Sequence, residues 1–149
     1  MIYLLDTHTF IWAALKTNNL SENSKKIIFD KKNEVCVSTV TFWEISLKAR
    51  IKKFSFENVN IKDFPKYARD MDFSIIDMQE NESITFHELP IKDNHKDPFD
   101  RMLIWQAICK GMTMISKDGL FEQYKEDGLK LAWQTTNKVK KSLLSPFPI

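Results

Sequence analysis

The chain is poor in the residues that make tight turns. Three glycines and five prolines in 149 residues are too few for the many hairpins of a β-sandwich or barrel. Cysteine is as scarce. Cys36 and Cys109 are the only two, both within apolar runs, and they predict buried free thiols in a reducing, cytoplasmic setting, not a disulfide framework. No run approaches the ~18 apolar residues of a membrane span, so no membrane role is expected. The opening "MIYLL" follows no basic stretch and runs into an acid, unlike a secretory leader. Neither sign of charge dominates: 22 Lys and Arg face 20 Asp and Glu, for a net of +2, so total charge names no partner. If several acids share one site, the remaining surface is more basic than that total.

What is present fits a folded single domain. Hydrophobic residues make up 43% and charged residues 28%, and the length suffices for a real core. Residues 1–5 read as a strand buried on both faces, because the apolar run is continuous and does not alternate. "THTFIWAAL" has Phe10, Ile11, Ala14 and Leu15 at helical spacing. Ser21 is a natural N-cap for the next helix, with Glu22 in its first turn. "EVCVS" is a second strand. A helix follows from Thr41 to about Lys53, with Trp43, Leu47 and Ile51 four apart along one side. Residues 62–71 predict another helix, "FSIID" a third strand, and 80–88 a short helix. Asp97-Pro98 opens a helix that runs to about Lys110 and closes at Gly111. "MTMIS" is a fourth strand, "GLFEQY" a short helix and "LKLAW" a last strand. Strands alternating with long crossovers indicate an α/β fold, a three-layer α/β/α sandwich on a mostly parallel sheet of four to five strands. Residues 1–134 form the expected domain, and 135–149 are a basic, then apolar, tail.

Acids recur where such a fold collects its sites, beyond the carboxyl ends of the strands. Asp6 directly follows the first strand and Asp118 follows "MTMIS". Asp97 and Asp100 open the helix that feeds that strand, and Glu44 lies one turn into the helix after "EVCVS". Each has an ordinary reading. Asp6, Asp97 and Asp118 suit helix caps or turns, Asp97 can pair with Arg101, and Glu44 sits four residues before Lys48, the spacing of a helical ion pair. Asp100 has the weakest such excuse, since its helix reads as buried. If the acids converge, two like charges ~4 Å apart repel by about 4 kcal/mol at an effective dielectric near 20. A divalent cation relieves this, and oxygen-only donors favour Mg²⁺ or Mn²⁺ over zinc. His8, His87 and His95 share no ligand spacing and read as surface or packing residues.

"LLDTHTFIW", "S-x-x-T-x-W-E-I-x-x-K", "HKDPFDRMLIWQA" and "S-K-D-x-x-F-x-x-Y", in this order, resemble the PIN-domain ribonucleases, above all the VapC-type toxins of toxin–antitoxin pairs. The likeness spans roughly residues 2–133, and "HKDPFDR" is its most specific block. It implies Mg²⁺- or Mn²⁺-dependent cleavage of RNA, a cognate antitoxin and a homodimer. Carried over by position, Asp6, Glu44, Asp100 and Asp118 match the family's acids. Asp97 is a fifth candidate ligand or only the cap, and Thr7 supplies a hydroxyl beside the first acid. Trp105 stands where smaller residues are common, and Lys117 adds a cation beside Asp118. "KARIKK" (Lys48, Arg50, Lys52, Lys53) is either a phosphate-holding run near Glu44 or a solvated helix end.

Two rivals remain from the sequence. One is a non-catalytic RNA- or protein-binding module of the same fold, its acids serving as caps and ion pairs. The other is a housekeeping RNA-processing nuclease. A haloacid-dehalogenase-like phosphatase ranks below both, because its chemistry wants a second Asp two residues after the first, where His8 stands.

Overall fold

"IYLL" becomes the centre of a sheet because it is apolar on both sides and short. As β1 (Ile2–Leu5) it pairs in parallel with β2 (Glu34–Ser38) on one side and β4 (Thr113–Ile115) on the other. β3 (Ser74–Ile76) and β5 (Lys130–Ala132) complete a five-stranded, all-parallel sheet in the order β3-β2-β1-β4-β5. The structure is a computed structural model that describes residues 1–133; the tail singled out above lies outside the described residues.

Period-two alternation along the strands divides the interior into two cores. Tyr3, Leu5, Val35, Val37 and Ile115 enter one, whereas Leu4, Cys36 and Met114 enter the other. The first core is covered by α1 (Thr7–Leu15), α2 (Glu22–Ile28) and α4 (Phe64–Asp70), through Phe10, Ile11, Ile28, Phe64 and Ala68. The second is covered by α6 (Pro98–Lys110) through Phe99, Leu103, Ile104 and Ala107, and by Phe121 and Tyr124 of a 3-10 stretch, Gly119–Asp127. Between them, α3 (Thr39–Arg50) sends Ile45 to the first core and Val40 to the second. The three-layer α/β/α sandwich is the architecture the alternation of strands and helices predicts. Among the described residues, no helix is long and apolar enough to cross a membrane.

Several element ends follow from local chemistry. Ser21 caps α2 by accepting from the Ser24 N–H at 3.0 Å. Ser38 accepts from Val40 N–H and so starts α3 at Thr39, two residues before the expected point. The stretch expected as one helix over 62–71 is a 3-10 turn, Ile61–Asp63, followed by α4, whose second residue is Pro65. Likewise 80–88 divides into α5 (Glu80–Thr85) and a 3-10 turn.

One expectation about burial is corrected. Cys36 is buried, and desolvation pushes its thiol up to about 11. Cys109 is exposed, because it lies two residues past Ala107, about 200° around the helix from that buried position. The stripe of Trp43, Leu47 and Ile51 on α3 faces outward at 57%, 38% and 54% exposure. The inward face of α3 is instead Val40, Thr41, Glu44 and Ile45, a mixed face no hydrophobic pattern would select.

α6 ends where Gly111 takes the left-handed conformation at φ +66°, and no atom lies within 4 Å of a Cβ added there. Gly111→Ala should therefore cost only backbone strain, about 1 kcal/mol. Gly119→Ala, also free of close neighbours and without a positive φ, should be neutral or slightly stabilising. Urea denaturation of both variants checks this difference.

Candidate active site

The order β3-β2-β1-β4-β5 reverses direction between β1 and β4, and a crevice opens at such a switch point beyond the strand ends. Asp6 stands at its floor. Its N–H donates to the Ile115 carbonyl at 3.2 Å, extending the β1–β4 ladder by one bond. Its Oδ1 accepts from Thr9 N–H at 2.9 Å, capping α1, and its Oδ2 accepts from the Ser116 hydroxyl at 2.5 Å. The same hydroxyl accepts from Asp118 N–H at 3.1 Å. Ser116 thus ties the end of β4 to the end of β1. Burial raises the Asp6 pKa, and the hydrogen bonds from Ser116 and Thr9 offset only part of that rise.

The second wall comes from α3. Glu44 is 2% exposed, and neither of its carboxylate oxygens is left bare. Oε1 accepts from the Thr7 hydroxyl at 2.5 Å, and Oε2 accepts from the Lys48 ammonium one helical turn on. With the Thr7 proton used, Thr41 donates to Thr7 Oγ1 at 3.2 Å. Lys48 also lies 3.7 Å from Asp97 Oδ2, and its charged end is near the rings of Phe54 and Phe99, 5.4 and 5.9 Å from their centroids. Burial alone would lower the Lys48 pKa. The bond to Glu44 and the charges of Glu44, Asp97 and Asp100 outweigh it, so the ammonium is held protonated more firmly than usual.

The third wall is the N-terminus of α6. Asp97 caps it as expected, accepting from Phe99 and Asp100 N–H at 2.8 and 3.1 Å. Asp100, on the first turn, has Oδ2 3.2 Å from His95 Nε2, and His95 Nδ1 is 2.9 Å from the Tyr124 hydroxyl. With Asp100 ionised, Nε2 donates to it and Nδ1 accepts from tyrosine. Burial pushes the Asp100 pKa up to about 6. The His95 bond opposes the rise, while the charges of Asp97, Asp6 and Glu44 reinforce it. Asp118 is half-exposed and accepts from Leu120 N–H at 2.9 Å.

All five acids therefore line one cleft of about 340 Å³, together with His8, Trp12, Lys48 and Lys117. Oxygen atoms of Glu44, Asp97 and Asp100 lie within 4.8 Å of one another, as do ligand atoms of His95, Asp100 and Asp118. Asp100 is common to both trios, and Asp6 belongs to neither. Thr7 reaches the cluster through Glu44. The helical ion pair read from the Glu44–Lys48 spacing is present, but it is inside the cleft and not on a solvated surface.

Sequence reasoning missed three participants. His95, read as a surface or packing residue, is 4% exposed and supports Asp100 from behind. Its partner Tyr124 is 29 residues away, beyond any local spacing signal. Ser116 was legible, since a serine two residues before an acid is a common side-chain turn. Of "KARIKK", only Lys48 lines the cleft, and Lys53 lines the groove next to it.

The raised Asp100 pKa has a thermodynamic consequence. The folded state binds this proton up to about pH 6, whereas the unfolded chain releases it near 3.8. Between these values the native state holds more protons, so the Asp100 contribution to stability falls as pH rises. In EDTA, Asp100→Asn should therefore be the more stable protein at pH 8, by up to about 3 kcal/mol. The gap should close below about pH 4. Urea titrations at the two pH values check this, and a destabilised variant at pH 8 would contradict it.

The geometry agrees with what comparison finds. A family model described as PIN domain matches residues 3–127. No curated protein sequence matches the chain. Among solved structures the fold is similar to VapBC2 from Rickettsia felis bound to a DNA fragment from its promoter, with TM-score 0.62, 20% identity, and coverage of 89% of this chain and 98% of that one. It is also similar to DNA-bound VapBC from Salmonella typhimurium, with TM-score 0.60, 18% identity, and coverage of 89% and 97%. A third similar structure is FitAB bound to the IR36 DNA fragment, with TM-score 0.60, 14% identity, and coverage of 93% and 99%. The identities are low enough that these likenesses concern fold alone, but the family match covers most of the chain: this protein belongs to the PIN-domain family.

Proposed function

We propose that the protein is a metal-dependent endoribonuclease that acts as the toxin of a toxin–antitoxin pair. The observation that carries this reading is the gathering of Asp6, Glu44, Asp97, Asp100 and Asp118 in one cleft at the switch point of the sheet. Five carboxylates against two lysines, of which Lys48 pairs with Glu44 and Asp97, make an electrostatically costly cluster, and the donor set suits a hard divalent ion, Mg²⁺ or Mn²⁺. Glu44, Asp97 and Asp100, with oxygens within 4.8 Å of one another, form an all-oxygen group and would hold the ion, with Asp6 and Asp118 completing the site or contributing to a second one. Such an ion supplies Lewis acidity, lowering the pKa of water and offsetting charge on phosphodiester oxygens.

The chain's own residues prepare the site. Thr7 and Lys48 orient the Glu44 carboxylate, Ser116 and Thr9 N–H fix Asp6, and His95, backed by Tyr124, aims Asp100. Hydrolysis by water in line with the leaving 3′-oxygen leaves 5′-phosphate and 3′-hydroxyl ends. A single strand or loop is the expected substrate, because a duplex keeps its backbone out of a narrow cleft. The partners in this reading are an antitoxin, whose peptide occupies the cleft, and a second copy of the chain. Fold similarity to the VapBC and FitAB assemblies supports that choice.

One observation favours a non-catalytic module: Asp6, Asp97 and Asp118 do serve as caps, and Lys48 does pair with Glu44. The readings part on cleavage. Purified protein should cut single-stranded RNA with Mg²⁺ or Mn²⁺ and stop in EDTA. Asp6→Asn, Glu44→Gln and Asp100→Asn should each fall to the level of a no-enzyme control while remaining folded. A binding module would be indifferent to all of these. Growth arrest on expression, relieved by a small neighbouring gene, would separate a toxin from a housekeeping nuclease.

Lys48 supplies a second check. Its ammonium holds two of the carboxylates proposed for the ion, and a monovalent and a divalent cation about 5 Å apart repel by several kcal/mol even at a dielectric near 20. Lys48→Met should tighten Mn²⁺ binding, measured by calorimetry, by roughly tenfold. Weaker binding in the variant would contradict this placement.

A further inference from the structure

A second cavity, of about 590 Å³, opens beside the acid cleft between α1 and the loop that follows α3. The two adjoin, with His8 and Trp12 lining both. The shared wall is aromatic. The His8 ring is 5.8 Å from Trp12 and 5.7 Å from Phe54, and Phe54 is 5.8 Å from Phe56. His8 is exposed, and Trp12, Phe54 and Phe56 are half-buried, so the rings offer surface to an incoming group. Cations frame this wall. Lys16 and Lys53 are exposed and line the groove, and Lys117 reaches to 5.9 Å from the Trp12 centroid at the cleft end. Among the described residues that line the groove, Glu57 is the one acid.

Rings for flat apolar partners, lysines for anions, and a wall shared with the acid cleft are separate features with one common match. We infer that this groove is the track for a single RNA strand: bases flanking the scissile phosphodiester stack on His8, Trp12 and Phe54, and their phosphates pair with Lys16, Lys53 and Lys117. The inference rests on the endoribonuclease reading above and extends it, by saying how RNA is held.

The physical need is plain. Without a divalent ion, a cleft whose own walls are carboxylates repels a polyanion, so affinity measured in EDTA must come from outside the cleft. Stacking is tolerant of sequence, because every base has a π-face, and each stacked base is worth on the order of tenfold or more in affinity. A duplex keeps its bases stacked on each other and gains little here. An apolar peptide would fill the rings but leave the lysines without partners. An oligonucleotide uses both.

The test uses the full chain in EDTA, where cleavage is off, with a fluorescein-labelled single-stranded RNA octamer read by anisotropy. Lys16→Glu/Lys53→Glu, at exposed positions outside the acid cluster, should weaken binding by at least about tenfold. It should also lower the log–log salt slope by about 1.4, the loss of two phosphate contacts on a single strand. Phe54→Ala should weaken binding by about tenfold with the slope unchanged. The corresponding RNA duplex should bind the wild type at least about tenfold more weakly. Equal binding of octamer by wild type and the double variant would overturn the track, as would equal binding of octamer and duplex. Cleavage in Mn²⁺ separates the two readings. If wild type and the double variant cut RNA alike, the track fails and the nuclease stands. If wild type does not cut, yet lysine-dependent octamer binding is seen, the nuclease reading fails and the track stands as an RNA-binding surface.

Discussion

Repulsion among carboxylates at the open edge of one parallel sheet is the constraint to which the rest of this structure responds. Five acids border a cleft of about 340 Å³, and burial raises the pKa of both Asp6 and Asp100. Several donors are turned toward them. Thr7 and Lys48 serve Glu44, Ser116 and a backbone N–H serve Asp6, and His95 serves Asp100. Even so, the local balance stays negative. Lys48 is the one cation bonded to the cluster's deepest acid, and its own protonation is stabilised by the acids around it. A site so arranged is costly as it stands and retains a standing attraction for a further positive charge.

The fold makes this concentration possible without long loops. β1 is central, so its end is flanked by β2 and β4, and the chain leaves β1 and β2 directly into helices. Asp6 and Glu44 therefore meet across Thr7 although they are far apart in sequence. The acids of α6 arrive from the opposite layer, over the second core. Ser116 fastens the two central strand ends together through its bonds to Asp6 and Asp118, so the floor of the cleft is built on the sheet itself. The positions of the carboxylates are set by strands and helix N-termini and owe little to flexible segments. His95 is the exception. It comes from the loop before α6 and is held between Asp100 and Tyr124.

Much of this was legible beforehand, for identifiable reasons. The continuous apolar run at the start of the chain marks a doubly covered strand, and Asp97-Pro98 and Gly111 mark helix ends by chemistry that needs no tertiary context. Topology alone puts Asp6, Asp97 and Asp118 at one edge, which Glu44 and Asp100 can reach from the first turns of their helices. The sidedness of α3 was not legible. Its buried face carries Glu44 and Thr41, polar residues justified only by partners on other elements, while Trp43, Leu47 and Ile51 look outward. Cys109 misled in the same way, as an apolar neighbourhood in sequence is not a buried one in space. His95 and Tyr124 join across 29 residues, and nothing in either segment announces the other. The register of Lys48 was read correctly as an ion pair with Glu44, but its burial beside Asp97 depends on the packing of α3 against α6.

A crystal soaked in Mn²⁺ near pH 8 and measured for anomalous scattering tests the central claim most directly. The account predicts a peak inside the cleft, bounded by the carboxylates of Glu44, Asp97 and Asp100, with the Lys48 ammonium displaced from Glu44. A cleft without anomalous density at saturating Mn²⁺, with Lys48 still on Glu44, would contradict it.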